Sequence, residues 1–288
     1  MVIQSVDSTR PHRLDPSILR EYDIRGVVGE TLSTEDAHSI GLAFGTLMQR
    51  DNYSTVAVGY DGRLSSPELE DALVSGLTAT GMDVRRIGLG PTPMLYFAVV
   101  FHGLDAGIMV TGSHNPPEFN GFKLLNRDRR FYGDMIREIG RVAAGGEFFE
   151  GLGCESKIDV TWPYTTEVAD AFNAHQSDLS VVWDAGNGAA GEILWRLKAI
   201  LPGQHTLLFD EVDGRFPNHH PDPTVPENLT TLIETVRQIG ADVGIAFDGD
   251  GDRIGVVDAE GEIVWGDQLL AIFAEPILRD RPHPRSRG

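Results

Sequence analysis

Short apolar runs alternate with stretches of helical period along most of this chain, and that alternation narrows the possible folds more than any other feature. Residues 56–59 read as a strand. Residues 67–80 read as a helix in which Leu69, Leu73, Val74 and Leu77 fall on one face and Pro67 suits the first turn. Residues 84–87 and 106–110 are two more strands, with a helix between them at 93–101. Such alternation requires crossover connections and a largely parallel sheet. The stretch 145–163 is glycine-rich and irregular, which marks a domain boundary. A second alternating block follows, with a helix near Val168, a strand at 181–183, a helix at 190–200 and a strand at 206–209. A loop rich in proline and histidine at 217–226 then leads to a helix at 228–239 and a strand at 243–247. Residues 254–257 and 262–265 suggest a hairpin around Glu260-Gly261. A helix from Asp267 then carries Leu269, Leu270, Phe273 and Ile277, which need a surface to pack against. The tail 281–288 is rich in breakers and reads as unstructured. The expected fold class is α/β: two tandem α/β domains with mixed, largely parallel sheets at 1–160 and 161–260, and the start of a third domain at 261–288.

At 288 residues the chain is long enough for two separate cores. No apolar run is long enough to cross a membrane, and the first fourteen residues are polar, broken by Pro11, and lack the apolar centre of a secretory signal. The single cysteine, Cys154, can form neither an internal disulfide nor a Cys-x-x-Cys metal site, and reads as an inert side chain near a glycine-rich turn. These features point to the cytoplasm. A net charge of −19 excludes general affinity for nucleic-acid phosphates, which need a basic face. An acidic protein also repels anionic substrates at long range. A phosphate-handling site in this chain therefore needs locally concentrated arginines or a metal ion. Oligomeric state is left open, although an unmatched apolar helix near Leu270 favours self-association.

Two loops that directly follow buried-strand runs carry the chemistry. Ligands in α/β folds gather in the crevice at strand ends. The loop Asp248-Gly249-Asp250-Gly251-Asp252-Arg253 places three carboxylates two residues apart, and they repel one another unless neutralised. Oxygen donors at that density suit a hard cation such as Mg²⁺; a polar Asp-Gly turn without metal is the alternative. A calcium loop of the EF-hand type is excluded, because its sixth and twelfth positions would be Arg253 and Ala259 instead of Gly and Glu. The other loop, Thr111-Gly112-Ser113-His114-Asn115-Pro116, offers a hydroxyl that is either a nucleophile or an ordinary turn serine. It lacks the Gly-x-Ser-x-Gly elbow of hydrolases. Pro116 and Pro117 stiffen it, and Lys123 follows closely enough to reach a phosphoryl group as a point charge. A third segment, Gly186-Asn187-Gly188-Ala189-Ala190-Gly191, matches Gly-x-Gly-x-x-Gly, with Asp210 near the position of a ribose-binding acid. It reads either as a dinucleotide site, hence an NAD-dependent oxidoreductase, or as a tight strand-to-helix turn. Asp184 at the strand tip opposes the former by its charge.

Taken together, these segments resemble the α-D-phosphohexomutase family, in its phosphomannomutase/phosphoglucomutase branch. The resemblance spans nearly the whole chain. It rests on Glu21-Tyr22-Asp23-Ile24-Arg25-Gly26, Gly59-Tyr60-Asp61-Gly62-Arg63-Leu64-Ser65, the Ser113 loop with Gly121-Phe122-Lys123, Asp184-Ala185-Gly186-Asn187-Gly188, Asp213-Gly214-Arg215-Phe216-Pro217 and the Asp248 loop. The Tyr22-Asp23-Ile24-Arg25 opening and the threonine of Thr111-Gly112-Ser113 resemble the mannose/glucose enzymes more than the phosphoglucosamine mutases.

The resemblance implies an enzyme that interconverts hexose 1- and 6-phosphates of mannose, glucose or both through a 1,6-bisphosphate, which also primes Ser113. It implies that Ser113 is the phosphoserine and that Asp248, Asp250 and Asp252 bind Mg²⁺ together with the Ser113 phosphate. Arg25 and Lys123 would flank the phosphoserine, His114 would assist beside it or merely brace the loop, Tyr22 would meet the substrate, and Arg253 would meet the substrate or hold the metal loop. The turn at Gly186 would then be structural. Members of this family have four domains, with sugar and distal-phosphate recognition in the last two. The resemblance therefore implies that this chain holds the first two and the opening of the third, with little mutase activity alone. A catalytically silent Mg²⁺- or phosphosugar-binding remnant is the alternative.

Overall fold

A computed structural model of the chain describes residues 10–128, 131–172 and 178–280. Its first sheet is built from β1 (Ile24–Val27), β2 (Thr55–Tyr60), β3 (Asp83–Leu89), β4 (Ala106–Val110), β5 (Phe119–Asn126) and β6 (Glu155–Lys157). The strand order is β1-β5-β4-β2-β3-β6. β2 runs parallel to β3 and β4, and β3 to β6, whereas β5 is antiparallel to both β1 and β4. The second sheet contains β7 (Ser180–Asp184), β8 (Gln204–Leu208), β9 (Val243–Phe247), β10 (Ile254–Asp258) and β11 (Ile263–Val264), in the order β11-β10-β9-β7-β8. Here β7 is parallel to β8 and β9, and β10 is antiparallel to its two neighbours.

The architecture is thus α/β with two mixed sheets, less parallel than the alternation implies. The reason is loop length. Residues 111–118 link β4 to β5 and residues 248–253 link β9 to β10. Both links are too short for a parallel crossover, which needs about a dozen residues or more. The chain must turn straight back. Both reversals are the chemistry-bearing loops.

The helices are α1 (Thr34–Arg50), α2 (Ser66–Ala79), α3 (Thr92–Phe101), α4 (Asp134–Gly145), α5 (Thr161–Asp170), α6 (Gly191–Ile200), α7 (Thr230–Ile239) and α8 (Gly266–Asp280). Helix α1 starts at a capping box in which Ser33 and Asp36 satisfy each other's backbone amides. Phe44 of α1, Leu73 of α2 and Ile139 of α4 join Ile108 and Phe122 in the core on one side of the first sheet. On the other side, Leu95 and Val99 of α3 meet Val160 and, from α6, Ile193 and Leu197. The two halves of the chain therefore share a core, which holds the ends of their sheets in a defined relation.

Several elements depart from the sequence reading. The stretch 145–163 is not wholly irregular: it supplies edge strand β6 and the first residues of α5. The helix expected from 228 opens as a short 3-10 turn, Pro226–Leu229, before α7. Helix α8 forms where expected, and its Leu270, Phe273 and Ile277 are exposed. The tail at 281–288, read as unstructured, lies outside the described residues. Cys154 is exposed and free, with Sγ 3.0 Å from Asp83 Oδ1. Among the described residues no helix is long and apolar enough to cross a membrane.

Candidate active site

Strand β4 is buried at every position because β2 and β5 flank it and helices cover both faces. It ends by delivering Ser113 to the edge of the second sheet. Ser113 is a non-glycine residue at φ 48°, a left-handed conformation that costs energy unless its surroundings impose it. Here they do. The buried guanidinium of Arg63 donates to the carbonyl oxygens of Ser113 (2.8 Å), Asn115 (2.6 Å), Pro116 (2.5 Å) and Phe119 (3.0 Å), and its Nε to Asp61 (3.2 Å). Asp61 in turn accepts from Thr111 Oγ1 at 2.8 Å and from the Gly112 amide at 3.0 Å. A Cβ on Gly112 would lie 2.1 Å from Arg63 Nε, so this position must be glycine. The ring of Phe216, in the second half of the chain, lies 5.1 Å from the Arg63 guanidinium carbon.

Strand β9 ends in the acidic loop. Asp248 and Asp250 are fully buried, Asp252 is exposed, and one carboxylate oxygen of each lies within 4.8 Å of the others. Asp248 Oδ1 accepts from the amides of Asp252 (3.0 Å) and Arg253 (3.1 Å), which turns the loop back on itself. Its Oδ2 accepts from Ser113 Oγ at 2.7 Å. The two loops are so close that a Cβ on Gly249 would come within 2.5 Å of the Ser113 carbonyl oxygen. Lys123 on β5 completes the group, donating from Nζ to Asp250 Oδ2 (2.6 Å) and Asp252 Oδ2 (2.5 Å).

Charge and burial set the protonation states. Burial, then the charges of Asp250 and Asp252, push the Asp248 carboxyl well above the usual range. Burial also acts to raise Asp250, but the Lys123 ammonium outweighs it and holds that carboxyl below the usual range. Burial alone would lower Lys123; Asp250 and Asp252 overcome it and keep the amine protonated. Asp250 Oδ1 is buried with no hydrogen-bond partner among the described residues. A buried, unpartnered carboxylate oxygen among two more carboxylates is a donor set for a hard divalent cation, and Mg²⁺ fits it.

The remaining expected residues surround the same place. Arg25 is buried, donating from Nη1 to Asn115 in the serine loop (3.1 Å) and from Nη2 to Asp23 (2.5 Å). Tyr22, Arg253, Lys123 and Asp252 line one cleft of ≈ 510 Å³ together with Asp23 and Tyr132. His114 does not brace the loop through Nδ1, which is buried and has no partner among the described residues. Burial and the charges of Arg253 and Arg25 lower its pKa, so it is neutral at pH 7. Arg63, Asp61 and Thr92 carry much of the geometry without having been singled out from the sequence. Asp61 and Arg63 belong to a quoted motif, yet no pattern signals that an arginine is buried.

The Gly186 segment is a packing turn. Its amides are spent within the protein: Asn187 on the Phe209 carbonyl (2.8 Å), Gly188 on Ala185 (2.8 Å) and Ala189 on Gly249 in the acidic loop (2.9 Å). Buried Asp184 occupies the strand tip and accepts from the Gly186 amide and from His219. These amides are not arranged for a pyrophosphate.

Comparison with known proteins gives a consistent result. Residues 16–148 match the phosphoglucomutase/phosphomannomutase α/β/α domain I, and residues 163–261 match domain II of the same group. The phosphomannomutase/phosphoglucomutase of Pseudomonas aeruginosa is 44% identical over 269 residues, which cover 93% of this chain and 58% of that protein. The phosphoglucomutase of Neisseria gonorrhoeae is 40% identical, over 92% of this chain and 58% of that protein. A solved structure of a phosphoglucomutase/phosphomannomutase family protein from Burkholderia thailandensis superposes with a TM-score of 0.89 at 43% identity, covering 93% of this chain and 60% of that one. The chain thus spans a little under three fifths of the length of these curated relatives. The oxidoreductase reading finds no support among them.

Proposed function

This chain belongs to the phosphoglucomutase/phosphomannomutase family, and from that premise we propose that it carries the phosphoryl-transfer machinery of a hexose-phosphate mutase. In this reading the phosphate of phospho-Ser113 is attacked by a hydroxyl oxygen of a mannose or glucose monophosphate. The bond to Ser113 Oγ breaks and a 1,6-bisphosphate forms. The sugar turns over in the cleft, and Ser113 takes back the other phosphoryl group. The observation that carries the reading is the 2.7 Å hydrogen bond between Ser113 and Asp248, which joins a hydroxyl loop on one sheet to a carboxylate loop on the other.

The chain's own residues divide the work. Asp248, Asp250 and Asp252 would hold Mg²⁺ next to the Ser113 phosphate, and the ion would supply positive charge to the transferring group. Lys123, protonated and held between Asp250 and Asp252, supplies a positive point charge beside the Ser113 loop. Arg25 orients the loop through Asn115. His114, whose burial favours the neutral imidazole, can accept the proton of the attacking hydroxyl. Tyr22 and Arg253 offer an exposed ring and a cation to the phosphosugar.

We divide the chain into a serine-loop domain at 1–160, an acidic-loop domain at 161–260 and the start of a further domain at 261–288, in a cytoplasmic protein. Because the chain covers 58% of its curated relatives, we propose that it turns over poorly on its own. The test is mass spectrometry after incubation with a hexose 1,6-bisphosphate and Mg²⁺. Phosphorylation at Ser113 that a chelator abolishes and Ser113→Ala lacks is the expected result. A folded chain that binds Mg²⁺ but accepts no phosphoryl group is instead a silent binding protein.

A further inference from the structure

We infer that Thr92 is a positioning residue for the cation site: a contact from the serine-loop half that sets the orientation of the Asp250 carboxylate in the other half. This inference rests on reading the acidic loop as a Mg²⁺ site. Thr92 is the first residue of α3, directly after Pro91, and is fully buried. It grips Asp250 twice across 158 residues of sequence. Its amide donates to the Asp250 carbonyl oxygen at 2.8 Å, and its Oγ1 donates to Asp250 Oδ2.

The consequence is a division of labour between the two oxygens of one carboxylate. Oδ2 is committed to Thr92 and Lys123, whereas Oδ1 is buried and has no partner among the described residues. Two donors on Oδ2 fix the plane of the carboxylate and leave Oδ1 as the oxygen presented to a cation. The N-terminus of the ten-residue helix α3 adds a favourable field for the negative charge. Neighbouring packing holds the same register, since a Cβ on Gly251 would lie 3.0 Å from Pro91 Cβ. Asp250 thus belongs to the second sheet by sequence and to α3 by its hydrogen bonds. A partner that orients a metal-binding carboxylate in this way typically accounts for about ten- to hundredfold in metal affinity.

The test is Mn²⁺ binding to the full chain, followed by electron paramagnetic resonance and calorimetry, with unfolding curves to establish that each variant is folded. Thr92→Val and Thr92→Ala are expected to weaken Mn²⁺ binding about ten- to hundredfold, and Thr92→Ser to stay within about threefold of the parent. Ala and Ser variants differ by one oxygen, so that pair decides the matter if the Val variant does not fold. Unchanged affinity in a folded Thr92→Val or Thr92→Ala protein overturns the role of Thr92 and leaves the metal reading intact. Equal losses in Thr92→Ser and Thr92→Ala also overturn it, because the hydroxyl is then not the cause. A parent chain that binds no Mn²⁺ removes the metal reading, and this inference with it.

Discussion

The serine loop and the acidic loop both turn a buried strand back into an antiparallel neighbour, yet they are held by opposite means. Around Ser113, one buried cation from the same sheet collects four backbone carbonyls and a carboxylate. Around Asp250, the fastenings come from elsewhere: Thr92 at the start of α3 and Lys123 on β5. The nucleophile loop is scaffolded from its own half, whereas the acidic loop, turned by Asp248 accepting its own amides, is also gripped from the other half of the molecule. Ser113 must adopt one strained conformation, and a dense local network imposes it. The acidic loop must hold three like charges together, and donors from the other half neutralise and orient them.

The sharpest way to break this contrast is to remove the scaffold. Arg63→Met removes the charge that faces buried Asp61 and the guanidinium donor to four carbonyls, and is expected to lower stability by about 3–5 kcal/mol in urea unfolding. A loss near 1 kcal/mol would mean that the loop is held by something else. Next in size is Lys123→Met. It removes a charge from a region that needs one, so phosphoryl transfer to or from Ser113 should fall by about a hundredfold or more. A fall of less than about tenfold in the rate of Ser113 phosphorylation would remove Lys123 from the transfer step. Gly112→Ala drives a methyl into Arg63 and is expected to cost about 1–3 kcal/mol, visible as a lowered Tm.

The smallest effect lies under the acidic loop. His219 Nε2 sits 3.1 Å from both oxygens of buried Asp184. Burial lowers its pKa, but the hydrogen bond and charge of Asp184 outweigh that and leave it above the ordinary 6.5. A raised folded-state pKa stabilises the fold in full below the unfolded value and loses that contribution as pH rises through the folded one. Stability should therefore decline from about pH 6.5 upward in the parent, and His219→Gln should flatten that slope. An identical pH dependence in the two proteins would remove His219 from the account.

Legibility in the sequence followed the source of each element's constraint. β4 and β9 were plain, because a run such as Ala106–Val110, wedged between strands and covered by helices, has to be apolar throughout. β5 was not, since Phe119–Asn126 mixes Asn120, Gly121 and Lys123 with apolar residues to serve the site on one end and the core on the other. Helix α1 went unread despite its capping box, because its apolar residues spread around much of its circumference where α2 and α4 both cover it. The carboxylates and Ser113 stood out through local density and strand-end position. Arg63 did not, because an arginine reads as surface until a structure shows it at 1% exposure.

Local order along the chain was enough to determine the α/β class, the family resemblance and the loops that bear the chemistry. Those depend on periodicity, turn residues and short motifs, all of which are written within a few residues of each other. Tertiary structure alone decided that Arg63 is the pin of one loop and that Thr92 grips the other. A hydrogen bond across 158 residues depends on how two sheets share a core, and no local pattern encodes that distance.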